Sequence, residues 1–180
     1  MAVMIRRGIV ILIFMVVGST VFADDSALKD IESAQGVAWL QPCQEKVLGV
    51  EILCNHLWKQ EVGHNSIVFT ISEDPAVLLT VARSKEVFTG IEELTRERVQ
   101  KLGDYTGDFH METIKIGGHP AIKVEGYSRG FADVRLLDIY VLQNFRICSF
   151  LFSVSPQEDW GRFSVLFAQM IQSIRLTDAK

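Results

Sequence analysis

Apolar and polar residues alternate in short runs along most of this chain, the period of two that a half-buried strand imposes. VLGVEIL (47–53), NSIVFTIS (65–72) and AVLLTVAR (76–83) are three such runs, with Glu73-Asp74-Pro75 as a turn between the last two. TGIEELTRERVQKLG changes the period: Ile91, Leu94, Val99 and Leu102 approximate one helical face. Thr89 and Glu92 have the spacing of a capping box, and Gly103 is placed to end that helix. Four strands follow, over residues 108–116, 120–127, 134–143 and 145–154. In the last, Cys148, Phe150 and Phe152 point one way and Ile147, Ser149 and Leu151 the other, so both faces are fairly apolar. Such a strand is central and needs cover on both sides. A closing helix is expected with Ser155 as N-cap, Pro156 at its first position and Glu158 completing a second capping box. Trp160, Phe163, Phe167, Met170 and Ile174 form its apolar stripe, which reads as core.

The order of these elements carries a resemblance. A strand running into the Trp-containing loop NHLWK, two strands around the acidic turn of EDPAVLLTVAR, a helix, a meander turning at GHPAIKVEGY and a last helix ending FAQMIQSIRL together resemble the PsbP-like superfamily. The resemblance covers roughly residues 47–176. It implies an α+β fold, an antiparallel β-sheet flanked by helices on both faces as an α/β/α sandwich. That fold is shared by photosystem II PsbP, a Ran-binding nuclear factor and DcrB-type bacterial envelope proteins, which act mainly as accessory or binding proteins. No catalytic motif comes with it.

The N-terminus adds a compartment. Arg6 and Arg7 precede an apolar run, and Val21 and Ala23 have the small-residue spacing that a signal peptidase reads. The 16 uncharged residues from Gly8 to Ala23 fall short of the roughly 20 a spanning helix needs, so cleavage after Ala23 and a periplasmic or secreted protein are expected. No stable membrane insertion is expected after cleavage. Taking 23 of the 180 residues away leaves 157, enough for one domain, with 24–46 as a lead-in and 47–180 as the domain itself. Without Arg6 and Arg7, 16 of the 18 basic residues face 22 acidic ones, a formal charge of −6. That balance argues against nucleic acid and against anionic membrane surfaces, which attract basic patches.

Three clusters and a lone cysteine invite a chemical reading. Gly117-Gly118-His119-Pro120 lies between two strand runs, where glycines supply positive φ and proline opens a strand, so it reads as a turn; a phosphate loop would lead into a helix instead. Cys43, Cys54, His56 and His64 offer metal-ligating atoms, but not at the paired spacing of a structural zinc site, and no metal or other cofactor is expected. A Cys43–Cys54 disulfide suits an exported chain. It requires a chain reversal near residues 46–49, because a straight strand would hold the two about 35 Å apart. Cys148, among phenylalanines, reads as a buried free thiol. Asp104, Asp108 and Glu112 gather carboxylates that would support glycoside hydrolysis at separations of about 5–9.5 Å, although no catalytic motif accompanies them.

The reading that results is an exported, non-enzymatic accessory or interaction domain whose partner is an envelope protein of unspecified identity. Its binding surface is expected at the loops holding Trp58, Asp104, Tyr105 and Asp108, with the alternative that Trp58 folds inward as a plug. A carrier of a small apolar ligand, with a pocket lined by Phe150, Phe152, Phe163 and Phe167, is the second reading, and a hydrolase using Asp104, Asp108 and Glu112 the third.

Overall fold

The structure, a computed structural model, describes residues 40–128 and 133–177. The expected signal segment and most of the lead-in lie outside these residues. Seven antiparallel strands form the main sheet in the order β3-β4-β5-β9-β8-β7-β6, and β1, β2 and β10 form a second, three-stranded sheet. In chain order these are β1 (Gln41–Glu45), β2 (Val50–Cys54), β3 (Lys59–Val62), β4 (Ser66–Ser72), β5 (Ala76–Val87), helix α1 (Ile91–Tyr105), β6 (Thr106–Ile116), β7 (His119–Ser128), β8 (Arg135–Gln143), β9 (Arg146–Ser155), helix α2 (Trp160–Ser173) and β10 (Arg175–Leu176). The α+β class that the resemblance implies is the observed one.

Alternation on the strands divides the core in two. Ile139 and Val141 of β8 join Phe150, Phe152, Phe163, Phe167 and Met170 in the larger cluster, whereas Tyr140 and Leu142 join Leu94 of α1, Ile122 and Val124 in the smaller. β9 is central, as its two apolar faces require, between β5 and β8. The stripe Trp160, Phe163, Phe167, Met170 and Ile174 is buried throughout. Phe152 and Phe167 bring their ring centres to 4.8 Å, a tilted contact within the larger core.

Several boundaries differ from expectation, each for a local reason. The run 47–53 is not one strand: Lys46 to Gly49 reverse the chain, with the Leu48 amide donating to the Glu45 carbonyl at 3.1 Å and Gly49 at φ +64°. β1 thus occupies residues assigned to the lead-in. The hairpin holds Cys43 opposite Ile52 and Cys54 opposite Gln41, and the two cysteines form the disulfide with Cα atoms 5.8 Å apart. At α1, Glu93 rather than Glu92 caps, its Oε2 accepting from the Thr89 amide at 2.7 Å and hydroxyl at 2.6 Å. Gly103 lies inside α1 instead of ending it, and Val99 faces outward. Ser155 does not cap the final helix, because it is still paired to Ala76 across β5 and β9. A 3-10 turn (Gln157–Asp159) intervenes before α2 begins at Trp160, and Asp159 at its N-cap makes no side-chain capping bond.

Candidate interaction surface

β6, β7 and β8 lie side by side at one margin of the main sheet, and pairing fixes which of their residues share a face. His110 opposes Glu125, Glu112 opposes Lys123, and Tyr127 opposes Arg135. Nearer the centre the same face carries Ala121, Leu137 and Ile139, which belong to the core packed on α2. Toward the margin it turns polar. Charges of alternating sign cross the three strands: Glu112 accepts from Lys123 Nζ at 2.9 Å, Lys123 lies 3.9 Å from Glu125, and Glu125 accepts from Arg135 at 2.5 Å. The Lys123 bond and charge hold the Glu112 carboxyl below the usual carboxylate range.

Arg135 ends this ladder against two aromatic rings. Its guanidinium carbon lies 4.8 Å from the Trp160 ring centre and 5.7 Å from that of Tyr127. Beside it opens a cleft of about 390 Å³, lined among others by Asp108, Phe109, His110, Tyr127 and Arg135. Tyr127 is 43% exposed and Phe109 36%. Gly126 is required here: a Cβ at that position would lie 2.8 Å from both the Asp108 carbonyl oxygen and Phe109 Cβ, where β6 bulges against β7. On the inner side of Glu125 a second cleft, of about 280 Å³, runs between the sheet and α2 past Leu137, Trp160, Phe167 and Ile171.

Asp108 is exposed and lines the larger cleft. The side chains of Asp104 and Tyr105 lie outside the described residues, though their backbone closes α1 and leads directly into β6. Trp58 is only 8% exposed and belongs to the larger core. The expected exposed anchor is therefore corrected to a plug: the Trp58 amide donates to the Asn55 carbonyl at 3.0 Å, turning the loop so that the ring enters the core. Tyr127, Arg135, Glu125 and Phe109 were not singled out from sequence. The available signal was parity, since Lys123, Glu125 and Tyr127 occupy strand positions in phase with buried Ala121.

The other candidate chemistries are dispersed. Gly117 and Gly118, at φ +56° and +85°, form the two-residue turn joining Ile116 to its partner His119. Cys43 and Cys54 are spent on the disulfide, and among the described residues no three His, Cys, Asp or Glu side chains are placed to hold a metal ion. Cys148 is buried and free, and burial pushes its thiol up to about 12. β6 is extended between Asp108 and Glu112, which sets their Cα atoms about 13 Å apart. Phe150, Phe152, Phe163 and Phe167 pack fully buried and fill the space a carrier would keep open. Among the described residues no helix is long and apolar enough to cross a membrane.

Comparison with solved structures identifies the fold. The chain is similar to cyanobacterial PsbP (CyanoP) from Synechocystis sp. PCC 6803, with a TM-score of 0.57 and 18% identity over 78% of this chain and 94% of that one. It is similar to LpqN, involved in cell envelope biogenesis of Mycobacterium tuberculosis, with a TM-score of 0.56 and 14% identity over 77% and 91% of the two chains. It is also similar to the Saccharomyces cerevisiae Ran-binding protein Mog1p, with a TM-score of 0.52 and 9% identity over 77% and 96%. No protein-family model and no curated protein sequence matches the chain. At these identities the likeness is one of fold, and the fold is PsbP-like, as the order of sequence elements implies.

Proposed function

We propose that this PsbP-like domain is an exported, non-catalytic accessory module of the cell envelope that holds a protein partner on the surface around Asp108, Tyr127 and Arg135. The observation that carries the reading is the Arg135 stack: a cation clamped by Glu125 and Trp160, with Tyr127 beside it half in solvent, at the mouth of an open cleft. Tyr and Arg held rigidly in this way lose little entropy on binding and are the residues enriched at binding hot spots. Asp104 and Tyr105 extend the proposed surface from the end of α1, while Trp58 supports its own loop from inside the core. The Cys43–Cys54 bridge fits an oxidising compartment, in keeping with cleavage after Ala23 and a mature domain that takes in β1 from the 24–46 segment together with residues 47–180. The two core clusters on alternate faces of β8 support the α/β/α layering. A Ran-binding protein and a protein of cell envelope biogenesis among the structures of like fold support the reading by analogy.

The test is photo-cross-linking in the exporting cell from position 127. A discrete adduct is expected there and not from Gln60, on the opposite edge strand β3; equal yields from both positions would end the assignment. The carrier reading has one observation of its own, the 280 Å³ cleft beside Trp160 and Phe167. An apolar fluorophore displaced from that cleft by filling it with Ala168→Leu would support it.

A further inference from the structure

The opposite end of the main sheet, about 26 Å from Arg135 along the eight-residue rise of β8, has a different character. Two turns, β1–β2 and β8–β9, meet the end of β5 there, and the three are tied together. Arg83 donates to the Leu48 carbonyl of the β1–β2 turn at 2.7 Å and to Gln143 Oε1 at the end of β8 at 3.3 Å. The Phe88 amide donates to the Phe145 carbonyl at 2.8 Å, and Val87 pairs with Arg146. Each of the three segments exposes one large apolar side chain: Val47 is 68% exposed, Val87, the last residue of β5, 66% and Phe145 63%.

Phe145 is the most telling of the three. It closes a two-residue turn with Asn144, at φ +50° and +62°, the geometry that Gly117 and Gly118 serve at no steric cost on the neighbouring hairpin. Placing phenylalanine in a left-handed conformation with its ring in water opposes both backbone preference and burial. Each apolar tip also has a cation beside it in sequence: Lys46 before Val47, Lys85 two before Val87 and Arg146 after Phe145, all exposed. None of these three cations enters the ion pairs of the described residues, whereas Lys101, Lys123, Arg98 and Arg135 do. Of the carboxylates nearby, Glu86 is taken up by Arg98 and Lys101, and Glu45 is partly buried, with desolvation raising its pKa.

We propose that these two turns and the end of β5 form a peripheral docking site for an anionic lipid surface, with Val47, Val87 and Phe145 entering the headgroup region and Lys46, Lys85 and Arg146 meeting lipid phosphates. The chain as a whole is acidic, but steering at contact is local, within about a Debye length of 8–10 Å. The interleaving of single apolar tips with unpaired cations favours lipid over protein. A protein interface asks for a contiguous, complementary patch of about 800 Å² a side, whereas an interfacial anchor asks for separated apolar residues that reach below a rim of basic ones. Docking by this end would leave the Arg135 surface turned away from the bilayer.

Vesicle cosedimentation tests this with the exported protein on phosphatidylcholine alone and on phosphatidylcholine containing about one-third phosphatidylglycerol. Phe145→Gly is the informative variant, because glycine relieves the turn and folding stability is kept or raised. The expected result is capture by the anionic vesicles only, weakened at least about fivefold by Phe145→Gly and abolished by the combined Lys46→Glu, Lys85→Glu and Arg146→Glu changes. All forms share the same N-terminal residues, so any binding through those is common to every arm. Equal capture of parent and both variants, or no preference for the anionic vesicles, would overturn the proposal. So would a protein cross-link formed from position 145 in the exporting cell without any vesicle binding, which would make the site a protein interface.

Discussion

The Arg135 guanidinium lies over the Trp160 indole, 4.8 Å from its centre, joining the first residue of β8 to the first residue of α2. The contact fixes where α2 leaves the sheet and holds the cation that Glu125 neutralises. Arg135→Ala is expected to cost about 1–2 kcal/mol in urea unfolding, the scale of a partly exposed cation–π contact plus a charge-assisted hydrogen bond. Arg135→Lys is expected to recover less than half of that, because a lysine keeps the charge without the planar stack. Full recovery by lysine would show that charge alone matters.

Asp138 sits beneath α1 with Tyr140, whose hydroxyl donates to its Oδ2, while its Oδ1 has no partner among the described residues. Arg98 covers the Tyr140 ring at 4.6 Å. Burial raises the Asp138 carboxyl from 3.8 to about 6 against the opposing pull of Arg98 and the Tyr140 bond. A folded pKa above the unfolded one means stability present at low pH and lost as pH rises from about 4 through about 6, a loss of up to roughly 3 kcal/mol. Unfolding free energy measured across that window should fall in the parent and stay flatter in Asp138→Asn. An identical slope in the two would place the proton elsewhere.

The Cys43–Cys54 bridge closes a loop with a sequence separation of 11, for which chain entropy predicts about 3 kcal/mol of stabilisation. The Cys43→Ala, Cys54→Ala protein should lose about that much. Alkylation of the unreduced, unfolded parent should label one cysteine, Cys148, and alkylation of the folded parent none, since that thiol is buried and its pKa is pushed up to about 12.

Trp58 plugs the larger core, so Trp58→Ala is expected to cost about 3–5 kcal/mol of folding stability. A loss under about 1 kcal/mol, of the size that surface substitutions give, would return the ring to solvent and to the list of binding anchors.

Strands β4 to β9 of the main sheet were legible, most of them because β-branched residues alternate along β4, β5, β7, β8 and β9, and α2 because its stripe is long and aromatic. β1 and β3 were not, since QPCQE and KQEV carry no apolar alternation: one strand is held by a disulfide and the other lies wholly exposed at the sheet edge. Capping residues were found one position off at α1 and displaced at α2, where β9 continues to Ser155 because Ala76 is there to pair with it. The Arg135 surface draws on β6, β7, β8 and α2 at once, and each contributes residues of ordinary local spacing. Only pairing across strands brings them together, and pairing is set by the fold.

The surface around Arg135 is the proposed binding site for a protein partner. Once the partner cross-linked from position 127 is in hand, its titration against the parent and against Arg135→Glu, with unfolding measured on both, tests this most directly. The predicted result is affinity at least about tenfold weaker for the variant while it remains folded at the temperature of the titration, the effect of reversing a charge within a binding hot spot. Equal affinity of a folded Arg135→Glu protein for that partner would contradict it.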